Sequence, residues 1–167
     1  MALGRASTPR ALAAAGLLVA CGTSATALPT PQLQTRYLAA ANAYNSAEAV
    51  VLNEEDTACA ATSTDFAGCK AALQRDRAAT VEFDSRLRAI PFPSGIQAAA
   101  SKLLSDDSQL ESTLARAASA ASLIADAPVF ARLAQLYSAT NQDAQAVRAA
   151  LGLPGSSQPA TATPSPS

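Results

Sequence analysis

Histidine and tryptophan are absent from this chain of 167 residues, and glycine occurs only seven times. Without imidazole there is no ordinary general base for a serine nucleophile, and the commonest transition-metal ligand is gone. A di-iron bundle of the ferritin type fails for the same reason, because it needs Glu-x-x-His pairs. The few glycines form no phosphate-cradling loop. Neither Lys70 nor Lys102 follows a serine in Ser-x-x-Lys spacing. No apolar run approaches the roughly 20 residues that cross a bilayer as a helix. Aromatic residues are 4% and charged residues 15%, with a net charge of -1. A balance so far from basic argues against nucleic acid, whose binding rests on neutralised phosphates, and equally against a polybasic membrane-binding surface. These absences argue against an enzyme and against a resident metal or cofactor.

What is abundant is alanine, which loses no side-chain entropy in a helix. Four segments carry apolar or small residues at alternating spacings of three and four, the helical signature. The first takes Thr30 as N-cap with Pro31 just inside, and its seam runs Leu33, Tyr37, Ala40, Tyr44, Ala47, Val51. The second opens near Ser63-Thr64-Asp65 and runs Phe66, Cys69, Leu73, Asp76, Thr80, Phe83, Leu87, Ile90, until Pro91 and Pro93 stop it. Ser94 and Gln97 stand in capping-box spacing ahead of the third. Its seam is Ile96, Ala100, Leu103, Asp107, Leu110, Leu114, Ala117, Ala121, Ile124. The fourth takes Asp126 as N-cap and Pro128 inside, with Phe130, Leu133, Tyr137, Thr140, Ala144, Val147 and Leu151 along one face. Gly152, Leu153 and Pro154 then follow in the order of a Schellman C-cap. Four amphipathic helices with short connections predict an all-α fold, an antiparallel up-down-up-down four-helix bundle over residues 31–153. Residues 154–167, rich in Pro, Ser and Thr, read as a tail without its own core.

The beginning of the chain has a different character. Arg5 and Arg10 precede an apolar stretch from Ala11 to Ala20, and the stretch ends Leu18-Val19-Ala20-Cys21-Gly22. This resembles the lipobox signal of bacterial lipoproteins. The resemblance implies that residues 1–20 are cleaved and that Cys21 carries diacylglycerol and a further acyl chain such as palmitate. Residues 21–30 are then a lipidated tether, and the protein is held outside the cytoplasm at the cell membrane. Two or more acyl chains suffice for stable attachment. Cleavage removes two arginines, leaving ten basic against thirteen acidic residues, a net charge of -3. The Ala-rich body is similar in composition to small helical lipoproteins of high-GC Gram-positive bacteria, a likeness that carries no functional residue across.

With Cys21 assigned to lipid by that resemblance, Cys59 and Cys69 remain in an oxidising compartment, where a pair is expected to form a disulfide. Here it would span the turn between the first two helices. Two thiolates alone are too few for a structural metal, and the spacing is not the Cys-x-x-Cys of a redox site. An even number of helices sets both chain ends at one pole, nearest the tether, and the disulfide turn at the other. Two side-chain groups stand out as candidates. Glu54, Glu55 and Asp56 close the first helix, where acids oppose its dipole. They form either a distal acidic patch for a cation or basic partner, or a solvated helix end eased by Lys70. Asp76 and Asp107 both occupy seam positions at similar height. Buried, they would share a proton, hold a cation, or pair with Arg75, Arg77 or Arg148; a slight helix rotation would leave Asp76 at the rim. Tyr37, Tyr44 and Tyr137 read as core residues with satisfied hydroxyls. The sequence thus points to a non-enzymatic envelope lipoprotein working by contact with another envelope protein. The rival is a module holding a small or lipidic ligand between its helices.

Overall fold

A computed structural model describes residues 28–60, 63–122 and 126–155. The signal segment, Cys21, most of the tether, Ile124 and the tail from 156 lie outside the described residues. The chain is an antiparallel bundle of four helices: α1 (Thr30–Ala58), α2 (Phe66–Arg88), α3 (Ser94–Ala118) and α4 (Ala127–Ala150). Each packs on its sequence neighbour, α1 on α2, α2 on α3 and α3 on α4. The backbones of α1 and α4 stay farther apart, and side chains bridge them. Tyr37 Oη donates to the Ala144 carbonyl at 3.1 Å. Gln34 Nε2 donates to the Leu151 carbonyl at 2.8 Å, joining the start of α1 to the end of α4.

The helix ends follow local chemistry, with four departures. The Asp65 carboxylate accepts from Gly68 N at 2.8 Å and caps α2. At the end of α4, Leu153 N donates to the Arg148 carbonyl and Gly152 N to that of Ala149, at 2.9 and 3.0 Å. Gly152 has φ +69°, the left-handed conformation that a Schellman cap requires. The expected caps at Thr30 and at Ser94–Gln97 do not form. Thr30 and Ser94 are already helical, the prolines before them take the cap positions, and neither makes a side-chain cap bond. α3 also ends at Ala118, short of the seam expected to reach Ile124. The Asp126 carboxylate turns back to accept from Ala121 N at 3.1 Å, bracing the following turn rather than capping α4.

Cys59 and Cys69 form the expected disulfide, with Cα atoms 4.8 Å apart. Cys59 caps the C-terminus of α1, and Cys69 sits buried in the first turn of α2. Two apolar clusters fill the bundle. The one nearer the chain ends centres on Leu33, Tyr37, Phe83, Leu87, Leu103 and Val147. The one nearer the disulfide centres on Leu73, Leu110, Leu114, Leu133 and Leu136. Between them lies a polar waist.

Candidate functional site

The waist is assembled by a stripe on α2 at spacings of four: Asp76, Thr80 and Asp84, all buried. Four residues is close to one helical turn, so the three lie one above another on the face turned to the core. Thr80 Oγ1 donates to the Asp76 carbonyl at 3.1 Å and so spends its hydrogen on its own helix. Asp76 Oδ2 accepts from the Tyr137 hydroxyl, reaching across from α4. Burial raises the Asp76 carboxyl above the usual range, against the Tyr137 hydrogen bond, which lowers it. Asp76 Oδ1 is buried without a donor.

Two turns along α2, Asp84 meets Asp107 of α3. The pair is 0% and 3% exposed. Arg88 Nη2 donates to Asp84 Oδ2 at 2.7 Å. Asp84 Oδ1 and Asp107 Oδ2 are buried without a donor. Burial first, then the facing Asp84, pushes Asp107 up to about 9. Burial raises Asp84 as well, against the lowering effects of Asp107 and Arg88. Burial and the facing carboxyl thus favour a proton held by the pair as a whole, beside the Arg88 guanidinium.

α1 adds two carboxylates to the wall. Burial, and then Asp76, lift Glu48 to about 6 and Glu55 to about 8. Glu55 Oε1 is buried without a donor. At the rim, Lys102 Nζ bridges Asp143 at 2.7 Å and Asp106 at 3.0 Å. Tyr44 packs its ring 5.3 Å from that of Phe83, and burial raises its hydroxyl well above the ordinary value.

Asp76 and Asp107 are thus both interior, as the seam implied, but their partners are Tyr137 and Asp84 rather than each other. None of the arginines weighed as partners serves them. Arg75 bridges Glu54 at 2.6 Å, Arg148 donates to the Pro154 carbonyl at 2.8 Å, and Arg77 lines a groove on the α2–α3 surface. The arginine that reaches the waist is Arg88, which pairs with Asp84. Asp84 was missed because it adjoins Phe83, which the three-four pattern places inward. The signal that finds it is the strict spacing of four from Asp76 through Thr80.

The terminal acids of α1 go three ways. Glu54 is held by Arg75, Glu55 turns toward Asp76, and Asp56 faces solvent. Lys70 lies 4.5 Å over the Phe66 ring. Among the described residues no group of three or more acidic, cysteine or histidine side chains is placed to hold a metal ion. The chemistry open to the waist is storage of protons. Surface grooves among the described residues include one of about 200 Å³ between α2 and α3, beside Gln74 and Arg77, and one of about 350 Å³ between α1 and α2, beside Arg36 and Arg86. No protein-family model, curated protein or solved structure matches this chain.

Proposed function

We propose that this chain is a lipid-anchored, extracytoplasmic component of a bacterial envelope that works by protein contact and not by catalysis. The observation that carries the reading is the polarity of the bundle. Gln34 ties the start of α1 to the Leu151 carbonyl that follows α4, so both chain ends leave from one pole, with Cys21 only nine residues from Thr30. The Cys59–Cys69 bridge closes the opposite pole and fits an oxidising compartment. An interior filled by Tyr44, Phe83 and packed leucines supports contact through outer surfaces over a ligand between helices.

Detergent-phase partitioning tests the anchor. Protein made in its own host enters the Triton X-114 phase, and Cys21→Ser moves it to the aqueous phase. Aqueous partitioning of both forms overturns the anchor. Native mass spectrometry of the same protein tests the rest: a small molecule retained in stoichiometric amount would replace the contact reading with the ligand-binding one.

A further inference from the structure

The mild acidity of the whole chain hides a segregation of charge along the bundle. At the pole where the chain ends meet, residues 28–40, 85–100 and 145–155 contain Arg36, Arg86, Arg88 and Arg148 and not one Asp or Glu. The acids lie at the waist and beyond it, down to Glu54, Asp56, Asp65 and Asp126. Arg36 and Arg86 flank the open groove of about 350 Å³ between α1 and α2, whose floor is Ala39, Ala40, Ala89 and Ile90. Cationic walls over an apolar floor match an amphiphile with an anionic head. Phe92 and Leu153 are half-buried at the same pole, packed against its apolar cluster.

We propose that this pole docks on the membrane, with the Arg36–Arg86 groove seated on an anionic phospholipid. The inference rests on the anchor reading for its geometry. The nine residue steps from Cys21 to Thr30 reach at most about 30 Å even when fully extended, so the arginine pole is always held near the headgroups. Such tethering turns docking into an intramolecular step, and a weak groove is then enough. Arg86 also bridges Glu82 at 2.8 Å, but both partners are well exposed. An exposed pair of this kind contributes little and yields readily to phosphate.

The test uses protein purified from its own host, whose intact mass reports separately whether Cys21 carries lipid. Amide hydrogen exchange across residues 36–40 and 86–92 is compared in three settings: phosphatidylcholine vesicles, vesicles of phosphatidylcholine mixed with phosphatidylglycerol, and free glycerol phosphate. The expected result is slower exchange in the mixed vesicles alone, fading at high salt as screening shortens. Each arginine near an anionic surface contributes about fivefold to partitioning. Arg36→Gln with Arg86→Gln therefore lowers the docked fraction about 25-fold and abolishes the protection, while Arg132→Gln at the far pole preserves it. Equal exchange in both vesicle types overturns the proposal. So does equal slowing by glycerol phosphate, which assigns the groove to a free phosphate compound. A chain without lipid on Cys21 that is still slowed by phosphatidylglycerol leaves the groove standing and removes the anchor.

Discussion

The two halves of the bundle are held by different means. Near the chain ends every helix contributes to one apolar cluster, α1 through Leu33, Tyr37, Ala40 and Ala41, and α4 through Val147 and Leu151. Gln34 and Tyr37 then stitch α1 to α4. Near the disulfide, α1 gives its cluster only Ala58, while α2, α3 and α4 supply the leucines. Burying one alanine contributes far less than burying a leucine, so the end of α1 would peel from the bundle if packing alone held it. The disulfide stands where the apolar contact runs out. Covalent and hydrophobic attachment substitute for each other along one helix.

The largest expected effect follows from that substitution. Cys59→Ala removes the bridge and costs about 2–5 kcal/mol, the range for a native disulfide in a small secreted domain. Urea denaturation measures the loss. Hydrogen exchange locates it: amides of residues 51–58 open well before those of residues 33–41. Uniform loosening of both halves would break the comparison.

The waist separates the halves and gives the next effect, of opposite sign. Burial and the facing Asp84 push Asp107 up to about 9 from 3.8 for an ordinary aspartate, so folding takes up a proton at intermediate pH. Stability from this group is full below about pH 4 and is lost as pH rises toward 9. Glu48 and Glu55, raised to about 6 and 8, add to the slope with the same sign. Asp107→Asn supplies Asp84 with an N–H that does not titrate. It is expected to stabilise the fold by about 1–3 kcal/mol at pH 8 and to flatten the profile between pH 4 and 9. Thermal unfolding across that range measures both; a destabilised variant, or an unchanged slope, would show that Asp84 and Asp107 share no proton.

The smallest effect tests the pole of the chain ends. Gly152 sits at φ +69°, and its nearest foreign atom to a built Cβ is Gln34 Nε2 at 4.0 Å, so space is available. Gly152→Ala is expected to cost about 1 kcal/mol through the left-handed backbone alone. A small drop in melting temperature, with exchange at residues 51–58 unchanged, keeps the two halves independent.

Much of this architecture is legible in the residue pattern. Spacings of three and four define a face for each segment, and Pro91, Pro93 and Gly152 punctuate the ends. The cysteine pair reads as a bridge once the compartment is inferred. The pattern is weaker on rotation about each helix axis. Ala47 belongs to the same periodic seam as Tyr44 and Val51 yet is exposed, while Glu48 beside it is half-buried. One residue of rotation is about 100°, which moves a side chain from wall to rim. The same coarseness concealed Asp84 and Asp143, and it made Asp76 and Asp107 look like mutual partners. Partners depend on reach across the bundle, as with the long Tyr137 side chain, and spacing along one helix does not encode that. Nor does spacing reveal a charge segregation whose arginines come from three helices.

Because each helix packs on its immediate successor, most close contacts join segments separated by one short loop. Chains of such low contact order cross their folding barrier in about microseconds to milliseconds, since little loop entropy is lost before contacts form. Cys59 and Cys69, ten residues apart in sequence, come together when the first helical hairpin closes. Formation of that bridge therefore draws only on α1, α2 and the short turn between them.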